Sequence, residues 1–350
     1  MFSSTTITSS QAKMKGLLCV TFLTLVAQTL QVTLPAADLA QSPALPALQA
    51  RQDRRCGPEV ARSCPQAQCC SSGGWCGTGS QFCRSPTCQI DYGPSCDANI
   101  RPEGPDTSSV PRPKVGSVPY GKAIYDCTVK GGIALTFDDG PWNYTEDLLD
   151  LLAEYDAKAT FFVVGRNAGK GAINDPSTPW PALIRRMADD GHQIASHTWA
   201  HHKLTQITPA QFRDQMLFNE VALADLLGYF PTYMRPPHSM SDATTDAWLA
   251  ELGYHVTYFD LNTAGYLNDG PEEIKKSIGI WDGRVEPLDP ATSSLLVIEH
   301  DTVYHGVYTL VRHMLETIRR KGFRTVTVGE CLGDPKENWY REVSSRNTEE

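Results

Sequence analysis

The sequence predicts an α/β protein, an irregular barrel of seven parallel strands alternating with helices and preceded by a small disulfide-rich domain. Three observations carry this expectation. From residue 127 onward, short apolar runs alternate with segments of helical period at the spacing of parallel βα units. Eight of the eleven cysteines crowd into positions 56–96, a stretch too poor in large apolar side chains to build a core. Between these regions, residues 98–126 are rich in Pro, Ser and Gly, show no apolar period and read as a semi-extended linker.

Taken in order, the chain starts with Lys13 and Lys15, an apolar run from Leu17 to Leu34 broken by Thr and Gln, and small residues from Pro35 to Ala40. This is the pattern of a secretory signal peptide over residues 1–40, cleaved between Ala27 and Ala40, with Met14 as an alternative start. A membrane anchor is the competing reading, but the uninterrupted apolar core falls short of the roughly 20 residues a span needs. A polar linker, 41–55, follows, and its Arg54-Arg55 pair is either a processing site or an ordinary solvated pair. The net charge of -9 and the lack of any longer basic run exclude nucleic acid as an expected partner. With Cys19 in the signal, ten cysteines remain, an even number that fits an oxidising compartment, as does the sequon Asn143-Tyr144-Thr145. The expectation is a secreted, extracellular monomer, associated with a cell wall.

Strands are expected near 133–137, 159–164, 193–196, 232–235, 255–260, 294–299 and 323–327, with helices at Glu146–Tyr155, Pro209–Gly228, Ala243–Leu252 and Tyr308–Arg320 among those between them. This places the large domain at 127–331 and leaves a polar tail, 332–350. Polar residues keep to one address, the C-terminal ends of strands, where barrels of this kind collect their chemistry. Asp138 and Asp139 end the run IALTFDDGP; His197, Arg235 and Asp260 follow later strands, and His300 with Asp301 follows the sixth. His197 and His201, four apart, on one helical turn stand about 5–6 Å from each other on one face. With a carboxylate they form a two-histidine, one-carboxylate site for Zn2+, Co2+ or another divalent first-row metal. The other histidines read as structural (His192), rim (His202, His305) or core and surface positions (His255, His313), while Trp142, Trp180 and Trp281 are candidates for a sugar cleft or for core packing.

Eight cysteines allow many pairings, and spacing does not choose among them. The stretch CGPEVARSCPQAQCCSSGGWCGTGSQFC, however, resembles a hevein-type chitin-binding module, placed at 56–97. The resemblance implies the bonds Cys56–Cys70, Cys64–Cys76, Cys69–Cys83 and Cys88–Cys96. It also implies a saccharide site at Ser71, Trp75 and Phe82, in which the rings face N-acetylglucosamine and the hydroxyl bonds an acetamido carbonyl. Gly73 stands where the family has a further aromatic, so one stacking platform is lost. Chitin and N-acetylglucosamine oligomers are the implied partners.

TFDDGP, HTWAH, RPP and Ile298-Glu299-His300 occur in the order found in the polysaccharide deacetylases of carbohydrate esterase family 4, the NodB homology domain, and the chain resembles that family over about residues 127–331. The resemblance implies Asp138 as general base, Asp139, His197 and His201 as metal ligands, Arg235 as the partner of Asp138, and His300 as general acid. It implies substrate contacts at Pro237, His238, Tyr266 and Ile298, with the His238 main chain facing the oxyanion, and a Cys127–Cys331 bond. Two positions depart: Asn262 and Gly265 stand where the family carries carboxylates, the second of which tunes the acid histidine. Asp260 or Asp269 is the expected replacement. The implied activity is release of acetate from chitin, giving chitosan. The alternatives are a chitin-binding or chitin-masking protein with a slow or inactive esterase domain, and a deacetylase of another polysaccharide such as peptidoglycan.

Overall fold

The computed structural model describes residues 54–343. The expected signal segment 1–40, most of the linker 41–55 and residues 344–350 of the tail lie outside the described residues.

The N-terminal module is held by sulfur. Strands β1 (Cys69–Cys70) and β2 (Cys76–Gly77) pair antiparallel beside the one-turn helix Ser80–Cys83. Its bonds run Cys56–Cys70, Cys64–Cys76, Cys69–Cys83 and Cys88–Cys96, closing loops of 14, 12, 14 and 8 residues. Loops of that length let each bond contribute roughly 2–3 kcal/mol by restricting the unfolded chain.

The larger region is built on one curved sheet in which every pairing is parallel. Its strands are β3 (Ala123–Ile124), β4 (Gly132–Asp138), β5 (Thr160–Val163), β6 (Gln193–Ser196), β8 (Tyr233–Met234), β9 (His255–Thr257), β10 (Leu261–Asn262), β11 (Leu295–His300) and β12 (Arg324–Thr325). The order is β10-β11-β4-β5-β6-β8-β9-β3, with β12 beside the start of β4. All seven expected strands belong to it. The two-residue strands β3 and β10, too short to leave an apolar run, extend its edges.

Strand β4 is buried along its whole length, as a parallel strand covered on both faces must be. Its side chains alternate between two clusters. Ile133, Leu135 and Phe137 meet Leu148, Ile184 and Leu315 from the surrounding helices, whereas Ala134 meets Phe162, Ala195, Tyr233 and Leu296 inside the barrel. Thr136 and Asp138 continue the inner face and carry it to the mouth. The helices are Thr145–Glu154, Trp180–Asp189, Pro209–Leu227, Ala243–Glu251, Ile274–Val285 and Arg312–Lys321. Local chemistry sets their limits: Pro209–Leu227 starts with a capping box between Thr208 and Gln211 and ends at Gly228, whose φ is 81°. The expected helix from Tyr308 is preceded by a π-helical segment, Gly306–Val311, before it becomes α-helical at Arg312. Among the described residues no helix is long and apolar enough to cross a membrane.

Two stretches differ from their expected form. Residues 98–126 are irregular apart from a short turn at Asp97–Asn99 and strand β3, but they do not form a spacer. Arg112 makes a two-pronged contact at 2.8 Å with both carboxylate oxygens of the buried Glu220, and Val118 and Ile124 join the inner cluster. Isolated anchors of this kind leave no period in a sequence. The tail also folds back: β13 (Tyr340–Glu342) pairs antiparallel with β7 (Tyr229–Pro231), and the buried Trp339 lies so close to Gly329 that a Cβ there would be 2.1 Å from its ring. The Cys127–Cys331 bond spans 204 residues and joins the two ends of the sheet region.

Candidate active site

The mouth is organised around Asp138. Sheet register sets it level with His300 on the adjacent strand β11. Its Oδ1 accepts from Arg235 Nη1 at 2.6 Å. Arg235 is itself fully buried, so every donor needs an acceptor. Nη1 also reaches Thr136 Oγ1 at 2.8 Å, Nη2 donates to the Tyr258 carbonyl at 2.7 Å, and Nε donates to the Thr257 carbonyl at 3.2 Å. Phe162 lies 4.1 Å from the guanidinium carbon and closes one face. Burial pulls the Arg235 proton affinity down and Asp138 pulls it back, but an arginine stays charged throughout the neutral range. The carboxylate is thereby held in one orientation by a rigid cation.

Asp139 takes the left-handed backbone, φ 79°, that turns the chain out of β4. The next residue must be glycine, because a Cβ at Gly140 would lie 1.8 Å from Asp301 Oδ2. Lys170 Nζ donates to the carbonyls of Asp139, Gly140 and Pro141 at 3.3, 3.1 and 3.3 Å and closes the turn. Burial pushes this lysine down from its ordinary value and pushes the neighbouring Asp301 up.

Asp139 Oδ1 lies 3.1 Å from His201 Nε2 and 3.6 Å from His197 Nε2. The three donor atoms fall within 4.8 Å of one another. The arrangement suits a divalent cation on two further observations. Asp139 Oδ1 is buried without a hydrogen-bond donor. His197 Nδ1 stands 2.7 Å from the Arg235 carbonyl, which can only accept, so Nδ1 carries the proton and Nε2 offers its lone pair toward Asp139. Burial pushes His197 down to about 4, keeping it neutral. Burial alone would raise Asp139, but the adjacent His201 holds it well below the usual carboxylate range.

The helical turn expected for 197–201 is absent. Thr198 and His201 have φ of 72° and 58°, and Trp199 between them is fully buried, which draws the backbone inward. The two imidazoles nevertheless face each other, with ring centroids 5.0 Å apart.

On the opposite side, His300 ends β11 and its ring stands 5.1 Å from that of the half-exposed Tyr266. Ile298 is buried on the same face of the strand, and Pro237 is buried in the turn Pro237–Ser239 that follows β8. His238 has φ 59° and its ring lies 4.7 Å from that of His201. Neither expected replacement carboxylate is found bonded to His300. Asp260 Oδ1 accepts from Leu296 N at 2.8 Å, and Asp269 accepts from the backbone of Tyr304 and His305. The room at Gly265 is instead taken by Glu299: a Cβ at 265 would lie 2.8 Å from Glu299 Oε2, and Thr263 Oγ1 donates to Oε1 at 2.5 Å. Burial, with a smaller push from Asp138, raises Glu299 to about 8.

In the module, Trp75 is exposed, with Arg55 above its ring at 5.0 Å, and Ser71 Oγ accepts from Trp75 N at 3.3 Å. Phe82 lies half-buried against Gly77. Of the three tryptophans that are candidates for a sugar cleft, Trp180 and Trp281 are core residues, while Trp142 is partly exposed and stacks on Trp180. Asn143 is exposed. Sequence reasoning missed Lys170, Glu299 and Trp199. Lys170 lies in the irregular stretch GRNAGKGA and leaves no signal, whereas the place of Trp199 between two candidate ligands was one.

A parallel half-barrel sheet with a cation-locked carboxylate, a cluster of metal donors and a histidine in register on the adjacent strand defines a hydrolytic enzyme. Residues 125–257 match the polysaccharide deacetylase family, and residues 55–96 match the chitin recognition protein family. A chitin deacetylase of Colletotrichum lindemuthianum is 41% identical over 225 residues, 64% of this chain and 88% of that relative. A probable peptidoglycan-N-acetylglucosamine deacetylase of Arthroderma benhamiae is 40% identical over 226 residues, 64% of this chain and 49% of that relative. The solved structure of the Colletotrichum lindemuthianum chitin deacetylase matches with a TM-score of 0.62 at 40% identity, over 66% of this chain and all of that one. The chain belongs to the polysaccharide deacetylase family: it is a hydrolase of amide bonds, of a kind that works with a divalent metal ion, joined to a chitin-recognition module.

Proposed function

We propose that the protein is a secreted chitin deacetylase that removes acetyl groups from N-acetylglucosamine polymers outside the cell, using Zn2+ held by Asp139, His197 and His201. The observation that carries this reading is the placement of that donor cluster beside Asp138, with His300 level with Asp138 on the next strand. The relatives named chitin deacetylase and the chitin-recognition module support the choice of polymer.

Bound at this cluster, the metal ion supplies Lewis-acid activation of water and of the amide carbonyl. Asp138 takes the proton of the attacking water, and Arg235 keeps that carboxylate aimed while the barrel wall excludes bulk solvent. The main chain at His238 faces the developing oxyanion, which backbone donors stabilise. His300 gives a proton to the departing amine nitrogen. Tyr266 and Ile298 wall the acetyl methyl, with Pro237 beneath. Ser71, Trp75 and Phe82 hold the polymer on the module.

The test is acetate release from N-acetylglucosamine oligomers of four to six units by zinc-loaded protein, set against Asp138→Asn and against peptidoglycan as substrate. Release abolished by the substitution supports the reading. No release from any chitin oligomer, with zinc bound, points to a binding or masking role, and release from peptidoglycan alone replaces the substrate.

A further inference from the structure

The two segments that carry the metal donors are braced by one loop, Gly165–Lys170, and this loop is fixed to the cystine module. On one side it grips the turn between the histidines. Gly165 N donates to the Thr198 carbonyl at 3.1 Å and Arg166 N to the Trp199 carbonyl at 2.5 Å. Trp199 fits only because residue 165 is glycine, since a Cβ there would lie 2.1 Å from the indole. On the other side the loop ends in Lys170, whose ammonium closes the Asp139–Pro141 turn. Left-handed backbone at Asp139, Thr198 and His201 costs about 1–2 kcal/mol per residue and persists only where the surroundings impose it.

Trp180 Nε1 donates to the Lys170 carbonyl and Ile173 N to the Gly165 carbonyl, each at 2.9 Å; the middle of the loop is held by the module and its exit. Arg166 places Nε and Nη2 each 2.9 Å from Asp97 Oδ1, and Asp97 directly follows the last module cysteine. Ala168 N donates to the Ser85 carbonyl at 2.8 Å, and Gly169 lies against Ser80 Oγ, 2.6 Å from where its Cβ would be. The same exit reaches the histidine turn directly. Trp199 Nε1 donates to the Asp97 carbonyl at 3.1 Å, and Gln215, whose carbonyl accepts from Trp199 N, donates through Nε2 to the Ala98 carbonyl at 3.0 Å.

We infer that the N-terminal module is a positioning part of the metal site, not only a sugar-binding appendage: Asp97 and Ser85 fix the loop Gly165–Lys170, which sets the backbone of both donor segments. Asp97 and Arg166 are positioning residues, for neither touches the donor atoms. This inference rests on Asp139, His197 and His201 being the metal ligands. A module that served only to hold polymer would leave soluble oligomers and metal affinity untouched by changes at its exit. A bracing module makes both depend on it.

The test uses the full chain with Asp97→Ala and, separately, Arg166→Leu. It reads zinc affinity by chelator competition, hydrogen exchange of residues 197–202 in the metal-free protein, and retention on chitin. Each variant is expected to weaken zinc binding about 10- to 100-fold, the range for losing an outer support of a metal ligand, and to speed exchange in 197–202, with chitin retention unchanged. The reversed pair, Asp97→Arg with Arg166→Asp, is expected to recover part of both losses. If a variant does not fold, Arg166→Lys, which keeps the charge but loses the paired nitrogens, carries the same readouts with a smaller shift. Zinc affinity within twofold of wild type together with unchanged exchange overturns the inference. If wild-type protein binds no zinc, the metal-site reading fails, and exchange of 197–202 still decides whether the module braces the turn.

Discussion

Glu299 is the group whose burial should be most visible in solution. Its carboxyl is about 3% exposed, bonded to Thr263 and wedged under Gly265, and burial raises it from an ordinary 4.5 to about 8. A folded-state value above the unfolded one means that the native protein binds the extra proton between those two limits. The associated stability is therefore fully present below about pH 4.5 and is lost as pH rises through about 8. The full shift corresponds to roughly 5 kcal/mol, an upper bound, because local relaxation and water entry soften such penalties; about 2–4 kcal/mol is expected in practice. Glu299→Gln keeps an acceptor for Thr263 and cannot ionise. Thermal midpoints of metal-free wild type and variant, measured by calorimetry at about pH 5 and about pH 9, isolate this group, since every other titration is common to both. The variant is expected to gain on wild type by roughly 4–16 °C between the two conditions, at about 2–4 °C per kcal/mol for a domain of this size. Parallel pH curves would refute the reasoning and show that Glu299 ionises without penalty.

Arg235→Met is expected to cost about 3–5 kcal/mol, because it strands the buried Asp138 charge; adding Asp138→Asn should recover part of the lost thermal midpoint, and simple additivity would argue against the pair. His197→Ala should abolish zinc retention on gel filtration, whereas Asp138→Asn should retain about one zinc per chain; equal loss in both would mean that Asp138 is itself a ligand. Trp75→Ala should reduce retention on chitin several-fold while leaving turnover of soluble oligomers within about twofold, since its exposed ring makes no contact with the mouth. Gly265→Asp should destabilise the protein by about 1–3 kcal/mol through crowding of Glu299, and Glu299→Ser in the same chain should relieve it, as a double-mutant cycle would read.

The parallel sheet and its mouth were legible because both depend on short-range patterns. IALTFDDGP marks a doubly covered strand and the point where its inner face reaches solvent, and the same address recurs at His197, Arg235 and His300. Patterns of that kind do not report contacts made across the chain. Nothing local shows that Lys170 closes the Asp139 turn some thirty residues earlier in sequence, that Arg112 meets Glu220 over a separation of 108 residues, or that β3 and β10 pair at the sheet edges. The helical spacing of His197 and His201 misled for a related reason. A period of four describes a helix only if the intervening residue can face outward, and Trp199 is instead drawn into the junction with Asp97.

The departures at 262 and 265 differ in what they remove. Asn262 Oδ1 accepts from Ala264 N at 2.7 Å, a turn-closing bond that the side chain of an aspartate would make as well. Gly265 is a real loss of a carboxyl from the loop, yet the space beside it is filled by another carboxyl, from the strand that ends in His300. The two sources are not equivalent mechanically. A loop residue can shift with the loop, whereas Glu299 is paired in register with Phe137, one position before His300 is paired with Asp138. A carboxyl in that place moves only if the sheet moves. The buried carboxyl is thereby held by β4 and β11, and the short loop Thr263–Tyr266 need only leave it room, which a glycine does.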